Sequence, residues 1–189
     1  MSAKRSILKK TGLVLLAVAI AVAAGYIYQV HFNYRFAAIT DGKVYKSGAI
    51  PPEKIDTYVD RYGLKTVVDL RDAEEQADVE AERAALEKLG VTHVHLPTGQ
   101  VPPQETVDRF LALMKDPAVY PVLIHCHHGV SRSVLFGALY RIEYEGWDTE
   151  RARRATRLIV DGSSFDTDSR KGRYLQQYLP RNKPVLPAE

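Results

Sequence analysis

The chain opens on a stretch unlike anything after it. Residues 13–30 carry no charge and are apolar on every side, so no face is set aside for a protein core. A helix of that length covers roughly 27 Å, close to the hydrocarbon thickness of a bilayer. Beyond it the pattern is that of a folded domain. Asp41-Gly42 reads as a turn, and residues 43–47 alternate as a short strand. Pro51-Pro52 opens a helix that carries Ile55, Tyr58, Val59 and Tyr62 at helical spacing, closed by Gly63. Residues 66–70 are a short β-branched run, the mark of a buried strand. Residues 73–89 form a helix ended by Gly90, and 91–96 a second strand with His93 and His95 on one face. A loop over 97–103, a helix over 106–114 and a third apolar strand over 122–125 follow. Residues 126–132 form a tight loop that runs into a helix over 133–144, apolar on most sides and therefore buried. Asp148 or Thr149 caps the next helix, and a last one spans 170–178. Strands alternating with helices imply a three-layer α/β domain, its mostly parallel central sheet flanked by helices. In such sheets ligands bind beyond the carboxyl ends of the strands, where the loop at 126–132 lies.

The flanks of the apolar stretch define its role. Lys4, Arg5, Lys9 and Lys10 precede it, and Tyr26, Tyr28, Phe32, Tyr34 and Phe36 gather at its far end. That is the pattern of a single-pass anchor with an interfacial aromatic belt, its basic end cytoplasmic and the domain on the non-cytoplasmic, periplasmic side. A cleaved signal peptide, with its core over 13–20 and Ala21-Val22-Ala23 as the cleavage site, is the rival reading. The chain thus divides into a basic segment plus anchor (1–34), a domain (35–180) and a loose tail (181–189).

Charge narrows the partners. The net charge is +3, yet the first twelve residues hold four cations and no acid, so the remainder carries a net −1. A domain without a basic face is not a nucleic-acid binder. Arg151, Arg153, Arg154 and Arg157 cluster, but among acidic neighbours, and read as a solvated helix face. The single cysteine excludes an intramolecular disulfide framework.

That cysteine lies in His125-Cys126-His127-His128-Gly129-Val130-Ser131-Arg132-Ser133. In a strand–loop–helix turn, successive backbone N–H groups point into one concavity and form a nest for an anion. The helix adds the positive end of its dipole. Residues 127–131 therefore line a phosphate site, and the planar fork of Arg132 can bind two phosphate oxygens at once. The same field lowers the pKa of Cys126 and makes it a nucleophilic thiolate. Ser133 is placed to hydrogen-bond that thiolate and help it leave. His127 and His128 stand on the rim, where they would add positive potential when protonated.

These residues match the H-C-x5-R-[ST] signature of the protein-tyrosine-phosphatase superfamily. Val44-Tyr45-Lys46-Ser47-Gly48 and Leu64-Lys65-Thr66-Val67-Val68-Asp69-Leu70-Arg71 also resemble the opening of small bacterial and atypical dual-specificity phosphatases. The resemblance covers roughly residues 35–180. It implies phosphomonoester hydrolysis through a phosphocysteine, with no cofactor and no metal, and a phosphorylated protein or lipid as substrate. One departure stands out. The family places an Asp general acid in the loop after the strand ending at Leu96, but residues 97–104 contain no carboxylate. Glu105, Asp108 and Asp72 are the candidate substitutes. A protein lacking its acid is alternatively a weak pseudophosphatase that binds phosphorylated partners, and an anchored domain suits phospholipid or phosphoinositide headgroups. A metal site built from His93, His95, His125, Cys126, His127 and His128 is disfavoured, because adjacent side chains in a tight loop diverge rather than converge on a metal.

Overall fold

The computed structural model describes residues 2–156 and 165–181; the expected tail over 182–189 and Arg157 lie outside the described residues. Helix α1 runs Ser2–Ile27 and passes through a π-helical turn, Tyr28–Phe32. The segment Lys10–Phe32 has a mean hydropathy of 2.2 and buries none of its length. It is long and apolar enough to cross a membrane.

The domain follows as β1 (Ala37–Thr40), β2 (Val44–Ser47), α2 (Ile55–Tyr62), β3 (Thr66–Asp69), α3 (Gln76–Lys88), β4 (Thr92–His95), α4 (Gln104–Met114), β5 (Val122–His125), α5 (Arg132–Tyr144), α6 (Thr149–Ala155) and α7 (Arg170–Gln177). The sheet order is β1-β2-β5-β3-β4. Strands β2, β5, β3 and β4 are parallel, and β1 adds an antiparallel edge through the Asp41-Gly42 turn. Strand β1 goes beyond the elements the sequence pattern predicts, because its run Ala37-Ala38-Ile39-Thr40 is short and of weak strand propensity. Helix α2, expected from Pro51, starts at Ile55, and residues 52–54 form a turn.

Period-two alternation divides the core into two faces. Val44, Val68, Val122 and Ile124 face α4, α5, α6 and α7 on one side. Tyr45, Val67 and Leu123 face α2 and α3 on the other, beside the aromatic group Phe36, Tyr58 and Tyr62. The central strand β5 has no solvated face, which explains its unbroken run Val-Leu-Ile. Truncating Leu123 or Ile124 to Ala would cost about 2–5 kcal/mol. The register sets Ser47 and Asp69 on either side of His125, so three parallel strands end together and the loop at Cys126 leaves from that edge.

Arg153 departs from the solvated helix face expected of its cluster. Arg153 is buried rather than solvated, because its guanidinium binds Glu150 and donates to the Phe165 carbonyl at 2.9 Å.

Candidate active site

Cys126 is 2% exposed at the end of β5. Its Sγ accepts from the Gly129 N–H at 3.3 Å and lies 3.5 Å from Ser133 Oγ. Burial alone would push the thiol up. The Ser133 hydroxyl and amide, the Gly129 amide and the charge of Arg132 outweigh it and hold the thiol below its ordinary value.

The loop is turned inside out by what surrounds it. Three consecutive carbonyls point outward to partners on the N-terminal side of the domain. Ala49 N donates to His127 O at 3.0 Å, Arg35 Nη1 to His128 O at 3.0 Å, and Lys46 Nζ to Gly129 O at 2.9 Å. In a trans peptide the N–H is antiparallel to the C=O. Each outward carbonyl therefore aims the next amide inward, and the amides of His128, Gly129 and Val130 form the nest. Gly129 has φ +72°, and a Cβ on it would lie 2.4 Å from Gly48 N. Loop and β2 exit meet as bare backbone.

Arg132 is 8% exposed. Its Nη1 donates to Leu70 O at 3.0 Å and Thr98 O at 3.2 Å, and lies 3.4 Å from Asp72 Oδ2. Its Nη2 lies 3.7 Å from Glu75 Oε1. Glu75 also holds His127, Oε2 to Nδ1 at 2.5 Å. The two rim histidines therefore differ. His127 is paired with a carboxylate, whereas burial and then the charges of His127, Arg35 and Arg132 push His128 below its ordinary value, so His128 takes up a proton less readily than a free imidazole.

The candidate acids separate. Asp72 reaches the site through Arg132. Glu105 is exposed on the first turn of α4. Asp108 binds Gln104 and Arg181, and neither Glu105 nor Asp108 touches residues 126–133. Two residues unforeseen from sequence do. Ser131 Oγ donates to Gln100 Oε1 at 2.6 Å, and Lys171 Nζ donates to Ser131 Oγ at 2.6 Å and Gln100 Oε1 at 3.1 Å. Lys171 is 39 positions from Arg132, on a helix whose sequence pattern carries no sign of a site; only the tertiary fold brings it in.

Beneath the loop lies a buried charge network. His125 Nε2 is 3.0 Å from Glu82 Oε1 and 3.6 Å from Asp69 Oδ1. Arg71 Nη2 binds Asp69 at 2.7 Å and Glu82 at 2.5 Å. His93 Nε2 lies 3.4 Å from Asp69, and His95 Nε2 is 2.9 Å from Arg71 O. Burial pushes His125 down, but Glu82 and Asp69 outweigh it and raise the imidazole above its ordinary value. Burial raises Asp69, but His93, His125 and Arg71 overcome it and hold the carboxyl far below the usual range. Asp69, Glu82 and His125 stand close enough to hold a metal ion, yet Arg71 already bonds both carboxylates, so this donor set fits the guanidinium.

A parallel sheet covered on both faces, with a cysteine-bearing anion nest where its strands end, defines a small dual-specificity-like member of the protein-tyrosine-phosphatase superfamily. Residues 35–171 match the family model described as DSP-PTPase phosphatase fused to NAD+ kinase, and the chain belongs to that family. The dual specificity protein phosphatase TpbA of Pseudomonas aeruginosa strain UCBPP-PA14 is 34% identical over 111 residues, 58% of this chain and 47% of the relative. The chain thus spans about half the length of that curated relative. The crystal structure of P. aeruginosa TpbA in a cysteine-to-serine form with pTyr is 25% identical, covers 77% of this chain and 85% of that one, and superposes with a TM-score of 0.61. The catalytic core of the PP-IP phosphatase SIW14 from S. cerevisiae shares the fold at 18% identity, with TM-score 0.59 over 76% of this chain and 85% of that one.

Proposed function

We propose that the protein is a phosphomonoester hydrolase working through a phosphocysteine on Cys126. The observation that carries this is the thiol itself: buried, held below its ordinary pKa, and bonded by Gly129 N and Ser133 Oγ. The thiolate attacks phosphorus while the amides of residues 127–131 and Arg132 bind the three non-bridging oxygens. For that, Arg132 turns its remaining N–H groups onto the phosphate while staying beside Asp72 and Glu75. The ester oxygen departs, and water then attacks the phosphocysteine. Ser133 donates to the sulfur as it is released. No step calls for a metal or cofactor.

The test uses the full chain in detergent with p-nitrophenyl phosphate, chelator and reductant. Turnover is expected in the wild type, none in Cys126→Ser, and a loss of about 10²–10³ in Arg132→Ala. A wild type that binds vanadate but turns over nothing makes the domain a phosphate-binding module instead.

TpbA was crystallised with pTyr, which supports phosphotyrosine as a substrate class. A second reading, a lipid phosphate, is favoured by one observation. The apolar segment ends at Phe32 and Arg35 already touches the phosphate loop; three residues reach at most about 10 Å. On this reading the anchor holds the domain at a membrane on its non-cytoplasmic side, and phosphatidyl phosphates in vesicles are hydrolysed faster than phosphopeptides. The reverse preference removes it.

A further inference from the structure

The reaction as written leaves the departing oxygen without a proton, and residues 97–104 hold no carboxylate to supply one. We infer that Lys171 is the proton donor to the leaving group, a role that rests on the phosphocysteine reading above. Its Nζ bonds Ser131 Oγ on the phosphate loop and Gln100 Oε1 in the segment after β4. That segment is where a family acid would stand, so the ammonium bridges the expected acid position and the rim of the nest.

The other proton-bearing groups at the rim are committed elsewhere. Asp72 and Glu75 face Arg132, and Glu75 also holds His127. Burial and the neighbouring cations push His128 below its ordinary value, so it holds a proton less readily than a free imidazole. Lys171, by contrast, is 9% exposed and bonds two neutral oxygens, with no carboxylate within ion-pair distance among the described residues. Giving up its proton therefore breaks no ion pair. Burial lowers its pKa from 10.5, opposed by the charge of Cys126, which makes the proton easier to transfer.

Several contacts fix the Nζ in place. It lies 5.2 Å from the centroid of the Phe165 ring, and Arg153 fastens the Phe165 carbonyl. Ser169 caps α7 by accepting from Gly172 N at 2.9 Å. A Cβ at Gly172 would lie 1.8 Å from Asp166 O, so the first turn of α7 sits where only glycine permits.

The step balances. The Cys126 thiolate forms the S–P bond as the P–O bond to the leaving group breaks. That oxygen keeps the electron pair and takes a proton from Lys171 Nζ, leaving a neutral amine. In the second step the amine takes a proton from the attacking water. The S–P bond then breaks, returning the thiolate and releasing inorganic phosphate.

The experiment compares p-nitrophenyl phosphate, whose leaving group needs little protonation, with phenyl phosphate, whose leaving group needs more. The full chain in detergent is assayed as wild type, Lys171→Ala and Lys171→Arg. The ratio of the two rates within one preparation cancels any difference in folded fraction. Lys171→Ala is expected to lose about 10²–10⁴ on phenyl phosphate, and at least tenfold less than that on the nitro ester. Lys171→Arg should show the same differential, because a guanidinium keeps the charge but gives up no proton at working pH. Equal losses on both esters, or recovery of phenyl phosphate turnover by Lys171→Arg, would make Lys171 a charge rather than an acid and overturn the inference. A wild type inactive on both esters removes the phosphocysteine reading and this role with it.

Discussion

Gly129 is where the phosphate loop tolerates least. Its φ of +72° costs a residue with a Cβ about 1–2 kcal/mol, and the Cβ would stand 2.4 Å from the Gly48 amide, which is backbone and cannot rotate away. Gly129→Ala should therefore part the loop from β2 and misaim the amides beside Cys126. The expected result is a fall in p-nitrophenyl phosphate turnover of about 10² with a lower melting temperature; unchanged turnover would refute the packing argument. Cys126, Arg132, Ser133 and Gly129 were legible in the sequence because one contiguous turn holds them. Arg35, Lys46, Glu75, Gln100 and Lys171 were not. Each acts only through tertiary contacts, and a lone polar side chain on an element carries no local sign of the partner it will reach.

Among elements, β3, β4, β5 and α3 are joined under the loop by Asp69, Arg71, Glu82, His93 and His125. Two buried carboxylates face one guanidinium, and the balance closes when His125 is protonated. Removing one partner leaves the rest uncompensated, so Glu82→Gln should destabilise by about 3–5 kcal/mol in denaturant unfolding. The pH dependence follows from the two shifts. His125 is raised above its ordinary 6.5, so its contribution is full below that pH and is lost as pH rises through the native value. Asp69 is depressed from 3.8, so its contribution is present above that pH and is lost on acidification. Melting temperature should thus fall as pH rises from 6 to 9, and fall less in Glu82→Gln; equal slopes would show that His125 does not titrate against Glu82. The helices and parallel strands were legible from apolar period and turn residues. Strand β1 was not, because Ala37-Ala38-Ile39-Thr40 owes its place to pairing with β2 across Asp41-Gly42 rather than to its own propensity.

At the scale of the whole molecule, the apolar segment and the nest are joined by residues 33–36. Tyr34 O accepts from Gly48 N at 2.7 Å while Arg35 holds the loop, so the segment leading out of the apolar helix is part of the site's own scaffold. Both ends of this arrangement were visible in the sequence, but their contact was not, since hydropathy says nothing of where a helix exit docks. The chain also holds a single cysteine, and that has a redox consequence. A thiol held toward its thiolate form is the form peroxide attacks, and the sulfenic acid that results has no second thiol in this sequence with which to close a disulfide. Brief peroxide should abolish turnover in a way dithiothreitol reverses, while longer exposure carries Cys126 to the sulfinic acid and the loss becomes permanent. Full retention of turnover under peroxide would show that the thiol is not held as a thiolate. Recovery from the sulfenic acid then calls on a small reductant or a partner thiol able to reach the floor of the nest.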